Sequence, residues 1–270
     1  MPEPRVPNPS VSVVLLHGQP GASAVWERVW ARLPRDLSVI APDRPGYGRN
    51  PDAAMGLVAN ADHLAAELRA RGQARNVVVG HSWGGGVALA LAERYPGVVG
   101  GLVLAASLGP GAVLLVDRVL AAPVVGPALV ASAFYLGAPF ARRRLRRLVD
   151  DEGEVDRILD ASPTRRAWRS FVVEQRAMVA EVPDLVSRLK DISAPAVVLA
   201  GQRDRLVPAA SARALASSIP EAELRVLAGA GHDLPLEVPD ALASAVVEIL
   251  ERIEGGPREP RPTDSDEGDP

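Results

Sequence analysis

The sequence predicts an α/β fold, with a parallel sheet covered on both faces and a helical segment inserted partway along the chain. Three observations predict it. Short unbroken apolar runs alternate with amphipathic helical stretches from residue 11 to 105 and again from 196 to 253. Between residues 109 and 190 the alternation fails, and helical patterns are punctuated by prolines and glycines instead. Finally, Gly80-His81-Ser82-Trp83-Gly84 lies between the β-branched run Val77-Val78-Val79 and the small-residue helical stretch that begins at Gly85. A strand, a tight turn centred on serine and then a helix is the context of a nucleophile elbow.

Each element follows from its own pattern. Val11 to Leu16 is an apolar strand, Trp26 to Leu33 a short amphipathic helix and Val39-Ile40-Ala41 a second strand. Ala54 to Arg71 is helical, with Ala61, Leu64 and Leu68 on one face. Val77 to Val79 is the third strand, Gly85 to Arg94 the helix after the elbow and Val98 to Ala105 the fourth strand. Ala196 to Ala200, Ser211 to Ser218, Leu224 to Leu227 and Pro239 to Ile253 continue as strand, helix, strand, helix. The expected organisation is a flexible N-terminus (1–9), the first part of a core (10–108), a helical cap (109–190), the second part of the core (191–254) and a disordered acidic tail (255–270).

The composition excludes several functions. With 47% hydrophobic residues, the 270-residue chain has ample material for one core. A formal net charge of -3 argues against nucleic-acid binding. There is no cysteine, so disulfides, thiolate zinc sites and cysteine nucleophiles are excluded. No metal or cofactor site is expected. Residues 1–9 are proline-rich, without the apolar run of a signal peptide, so a cytoplasmic location is the expectation. Val119 to Phe140 has no charged residue, but three prolines and two glycines interrupt it, which argues against a membrane span. Arg142-Arg143-Arg144-Leu145-Arg146-Arg147 follows. Pairing of these arginines with Asp150, Asp151, Glu152 and Glu154 on a solvated face is the favoured reading, and contact with an anionic membrane the alternative.

A serine hydroxyl near neutral pH needs a base, and the base needs an orienting acceptor. Only four histidines are available. His17 ends the first strand, His63 lies on a helix, and His81 precedes Ser82 and is expected to point away from it. His232, in Gly229-Ala230-Gly231-His232-Asp233, occupies a loop at the carboxyl end of a late strand, where ligands meet such sheets. Asp204 follows the strand Val197 to Ala200 and is the candidate acid, while Asp233 is too close in sequence to His232 to orient its ring. Ser82, Asp204, His232 is thus the expected catalytic set. The oxyanion donors are expected to be the N–H groups of Trp83, next to the nucleophile, and Gln19, in His17-Gly18-Gln19-Pro20-Gly21. Leu120, Phe134, Tyr135 and Leu206 are expected to line an apolar substrate pocket.

Taken together, His17-Gly18-Gln19-Pro20-Gly21, Asp43-Arg44-Pro45-Gly46-Tyr47-Gly48, Gly80 to Gly85, Asp204 and Gly231-His232 resemble the α/β-hydrolase superfamily, particularly its capped bacterial members, over residues 11 to 254. The resemblance implies an eight-stranded, mostly parallel sheet, a helical lid after the sixth strand, and cofactor-free hydrolysis of esters or related bonds. Only ten residues precede Val11, so the family's first antiparallel hairpin is expected to be shortened or missing. Ser82 argues against epoxide hydrolases and haloalkane dehalogenases, which resemble this outline but carry aspartate at the elbow. The expected activity is cleavage of a small or medium apolar ester through an acyl-enzyme. The alternatives are proline iminopeptidase-like chemistry, carbon–carbon bond hydrolysis on the same triad, and an inactive ligand receptor. The peptidases use cap glutamates to hold a substrate amine, but Glu174 and Glu181 sit on a pattern typical of solvent-facing helix positions.

Overall fold

The computed structural model describes residues 11–73, 75–161 and 164–255. The expected N-terminus (1–9) and residues 256–270 of the expected tail lie outside that range, and Gly255 instead closes the last helix.

Six parallel strands form one sheet: β1 (Val11–Leu16), β2 (Ser38–Ile40), β3 (Arg75–His81), β4 (Val99–Ala105), β5 (Ala196–Gly201) and β6 (Ala222–Leu227), in the spatial order β2-β1-β3-β4-β5-β6. Among the described residues no antiparallel pair occurs, so the sheet has six strands here against the eight that the resemblance implied. Val14 lies opposite Val78 and Val103 opposite Val197, and the β3–β4 ladder shifts register between Asn76 and Val77.

Both faces of the sheet are covered, which is why its central strands carry consecutive apolar residues, such as Val13 to Leu16 and Val77 to Val79, rather than every second one. Successive side chains point to opposite faces. Val14, Leu16, Val78, Leu102, Leu104 and Val198 therefore join one core, with α2 (Leu57–Ala70), α3 (Trp83–Arg94) and α8 (Ala209–Ser218). Val13, Leu15, Val77, Val79, Val103 and Val197 join the other, with α1 (Glu27–Trp30) and α10 (Pro239–Gly255). A 3₁₀ turn, Ser23–Trp26, leads into α1, and the one-turn α9 (Leu234–Glu237) precedes α10.

Between β4 and β5 the chain leaves the sheet and builds α4 (Leu115–Ala121), α5 (Val125–Leu145), α6 (Glu152–Asp160) and α7 (Thr164–Ser187). The Asp151 carboxylate caps α6 by accepting the Gly153 N–H. Strand order reverses between β1 and β3, so the loops leaving those two strands diverge and open a crevice at their carboxyl ends.

Candidate active site

Ser82 sits between β3 and α3 with φ 53° and ψ -118°, a conformation that side chains rarely adopt. The backbone holds it there: the Ser82 N–H donates to the Ala105 carbonyl (2.9 Å), and the Ser82 carbonyl accepts from Gly85 (2.9 Å) and Leu108 (3.2 Å). Glycine flanks are obligatory. A Cβ on Gly80 would stand 2.5 Å from the Gly85 Cα, and one on Gly84 would run into the carbonyls of Leu16 and His17. The sharp turn places Ser82 at the N-terminus of α3, where the helix dipole favours negative charge.

The structure brings the three predicted polar residues together. The Ser82 hydroxyl donates to His232 Nε2 (3.0 Å), and His232 Nδ1–H donates to Asp204 Oδ2 (2.8 Å). The other Asp204 oxygen accepts the N–H groups of Leu206 (2.8 Å) and Val207 (2.9 Å). Burial pushes the Asp204 carboxyl up, but the His232 ring and those two N–H groups outweigh it and hold the acid below its ordinary value. The loops that carry the acid and the base are tied directly, since the Arg203 N–H donates to the Ala230 carbonyl at 2.8 Å. Asp233 faces elsewhere and pairs with Arg144 of the cap.

Three features of the site were not legible beforehand. Glu237 braces the loop that carries His232: its carboxylate accepts the N–H groups of Gly231 (2.6 Å) and Asp233 (2.9 Å), on either side of His232. His81 does not simply point away. Its buried ring donates to the His232 carbonyl (2.9 Å) and lies 5.1 Å from the His232 ring, centroid to centroid. Burial, and then the nearby His232 charge, lower it to about 4, so it stays neutral beside the base. Glu174 is the largest departure from expectation. It is fully buried on α7, where it pairs with Arg44 and accepts the Tyr47 hydroxyl at 2.8 Å. Its sequence pattern is solvent-facing only if the cap packs on nothing there. Glu181 is likewise engaged, accepting the Val58 N–H at 3.0 Å.

Arg44 connects the cap to the loop after β1. It donates to the carbonyls of His17 and Gly18 (each 2.9 Å), and its guanidinium lies 4.4 Å from the Trp83 ring centroid. His17 is buried, with Nδ1–H donating to the Gly18 carbonyl (2.8 Å) and Nε2 accepting the Arg44 N–H (3.0 Å). Burial, reinforced by the Arg44 charge, holds His17 well below its ordinary value. The Gln19 side chain donates to Gln175 of α7 (2.9 Å). His63 is exposed.

A cavity of about 720 Å³ opens over Ser82 and His232 and reaches Gln19. Phe134 and Leu206 line it, as expected. Leu120 and Tyr135 do not: Tyr135 is exposed one position beyond Phe134, since neighbours on a helix diverge by about 100°. Leu120 lies on α4, away from the cavity. Leu236 and Ile158, unforeseen, complete apolar parts of the wall. Among the described residues no cluster of three or more His, Cys, Asp or Glu side chains is arranged to hold a metal ion. The basic segment pairs with Glu152 as expected, through Arg142 and Arg146, but Arg142 also pairs with Asp156 and Arg144 with Asp233, while Glu154 pairs with Arg28.

A serine elbow at the carboxyl edge of a parallel sheet, beneath a helical insertion, defines a class of hydrolases. Residues 13–245 match the alpha/beta hydrolase family, and the chain belongs to it. Lipase LipV of Mycobacterium tuberculosis (strain ATCC 25618 / H37Rv) is 33% identical, covering 89% of this chain and 93% of the lipase. A 2-hydroxymuconate semialdehyde hydrolase of Pseudomonas putida is 31% identical, covering 78% of this chain and 76% of that one. Among solved structures, a thermophilic esterase from Thermogutta terrifontis superimposes with a TM-score of 0.71 at 26% identity, over 90% of each chain. The protein is therefore a hydrolase. The relatives differ in what they cleave.

Proposed function

We infer that the protein is a serine hydrolase that cleaves esters with an apolar acyl part. The observation that carries this reading is the chain of hydrogen bonds from Ser82 through His232 to Asp204, opening onto a largely apolar cavity. Ser82 attacks the ester carbonyl while His232 Nε2 takes its proton. Asp204 holds the ring in the required tautomer and stabilises the imidazolium. The N–H groups of Trp83, at the first turn of α3, and Gln19, on the cavity wall, are assigned to the oxyanion. His232 then protonates the leaving alcohol, and water attacks the acyl-enzyme with His232 again as base.

The relative from Pseudomonas putida raises carbon–carbon bond cleavage on the same triad. A dienoic acid substrate brings a carboxylate that needs a free cation. The cavity's two arginines, Arg142 and Arg144, already pair with Glu152, Asp156 and Asp233, which favours the neutral ester. The peptidase reading needs a cap glutamate open to an amine, and Glu174 and Glu181 are both engaged elsewhere.

The test is a panel of p-nitrophenyl esters of increasing acyl length, with fluorophosphonate labelling of the wild type and of Ser82→Ala. Turnover and labelling are expected in the wild type and absent from the variant. Wild-type protein that is folded but neither labels nor turns over any ester would instead be a receptor. Turnover of vinylogous diketones in preference to all esters would shift the reading to carbon–carbon cleavage.

A further inference from the structure

Helix α5 is apolar on two opposite sides. Phe134, Gly137, Ala141 and Leu145, spaced three and four apart, line the cavity. Val125, Leu129, Leu136 and Phe140 repeat at the same period on the outside. Leu136 and Phe140 are 75% and 72% exposed, and Val124, just before the helix, is 83% exposed. Helix α4 adds Leu115 and Val116, both exposed. Apolar residues this concentrated on an outer face usually mark an interaction surface.

The charges beside the stripe indicate its partner. At the spacing 136, 140, 143 the outer face runs into Arg143, and Arg147 follows in the turn just past the end of α5. Arg142, Arg144 and Arg146 each pair with a carboxylate, but Arg143 and Arg147 have no such partner among the described residues. Val125 to Arg147 contains no acidic residue. A second copy of this face would bring those cations no anion, whereas an anionic headgroup layer offers charge beside hydrocarbon. No single helix among the described residues is long and apolar enough to cross a membrane, and α4 and α5 are bent by 99° at their junction.

We propose that the outer face of the cap docks on an anionic lipid bilayer, with Val125, Leu129, Leu136 and Phe140 entering the headgroup boundary and Arg143 and Arg147 meeting the headgroups. The helix then lies on the membrane, as amphipathic interfacial helices do. Docking presses the cavity wall against a phase in which apolar esters dissolve. The docking itself is independent of the chemistry of Ser82 and is read without turnover.

The experiment is flotation of the full chain with vesicles of phosphatidylcholine alone, and with vesicles that also carry phosphatidylglycerol, at low and high salt. Wild-type protein floats with the anionic vesicles, binds neutral ones at least about 10-fold more weakly, and is released by salt. Leu136→Ser/Phe140→Ser and Arg143→Glu/Arg147→Glu each lower the partition coefficient by about 10-fold or more, with unchanged thermal unfolding. None of these four residues lines the cavity. Three results would overturn the proposal: no flotation of the wild type at low salt, equal binding to neutral vesicles, or variants that bind as the wild type does. Sedimentation as a dimer that Leu136→Ser/Phe140→Ser splits, without vesicle binding, would assign the face to a second copy instead.

Discussion

Replacing Ser82 with glycine should leave a more stable protein than replacing it with alanine, while both end its chemistry. Ser82 is held at φ 53° and ψ -118°, where a side chain costs about 1–3 kcal/mol and glycine does not. Against that gain, glycine adds about 0.5–1 kcal/mol of chain entropy to the unfolded state relative to alanine. The hydroxyl's 3.0 Å bond to His232, of about 0.5–1.5 kcal/mol, is lost in either substitution. Comparing Ser82→Gly with Ser82→Ala therefore cancels the bond and isolates the backbone. Alanine keeps the strained conformation and glycine relaxes it. The glycine variant should exceed the alanine variant by about 0.5–2 kcal/mol, or roughly 2–6 °C in Tm. Urea unfolding measures this directly, with equal m values for the two proteins as the control. Both variants should lack ester turnover. A glycine variant less stable than the alanine variant would refute the reasoning, because the Cβ contacts at the elbow would then outweigh the strain.

Asp204→Asn should lower kcat by about 10³–10⁴ by allowing the wrong His232 tautomer, with little change in KM; a loss under 10-fold in a steady-state ester assay would remove Asp204 from the mechanism. Phe134→Ala and Leu206→Ala should raise KM for long-acyl esters about 5- to 10-fold, while Leu120→Ala and Tyr135→Ala stay within about twofold. The reverse pattern would place the acyl chain outside the cavity described. His81 and His17 are both lowered in the fold, so the stability each contributes is full above the ordinary 6.5 and is lost as pH falls toward the folded values, about 4 for His81. Glu174, raised by burial to about 7 against the pull of Arg44, works oppositely: its contribution is full below 4.5 and lost as pH rises through 7. Between pH 6.5 and 4.5 two histidines oppose one carboxyl, so the urea midpoint should fall with acid, and Glu174→Gln should steepen the fall. A flat midpoint, or a shallower fall in Glu174→Gln, would contradict this.

The order Ser82, Asp204, His232 could be read in the chain because each residue follows an apolar run or glycine loop that announces a strand end. The elbow was legible for a stronger reason. Gly80 is forced by backbone contacts within a few residues, at Gly84 and Gly85, although Gly84 is forced by the carbonyls of Leu16 and His17 on the neighbouring strand. The cap behaved otherwise. Its helices could be read, but not their rotation: of the neighbours Phe134 and Tyr135, Phe134 lines the cavity and Tyr135 is exposed. Glu174 was misplaced because helical period gives the face a residue occupies and not what covers that face. Its partners, Arg44 and Tyr47, lie more than a hundred residues away. Glu237, which braces the His232 loop, gives no local sign at all, because its task is set by where two loop N–H groups point.

By itself the sequence determined the class of fold, the turn that exposes Ser82 and the identity of the groups available for acid–base chemistry, since strand pattern, turn sterics and side-chain type are local properties. Only the tertiary structure decided which residues meet His232, which side of α5 faces the cavity and which carboxylates the cap arginines pair with. Those depend on how distant elements dock, and docking is set by the summed packing of two cores rather than by any one segment.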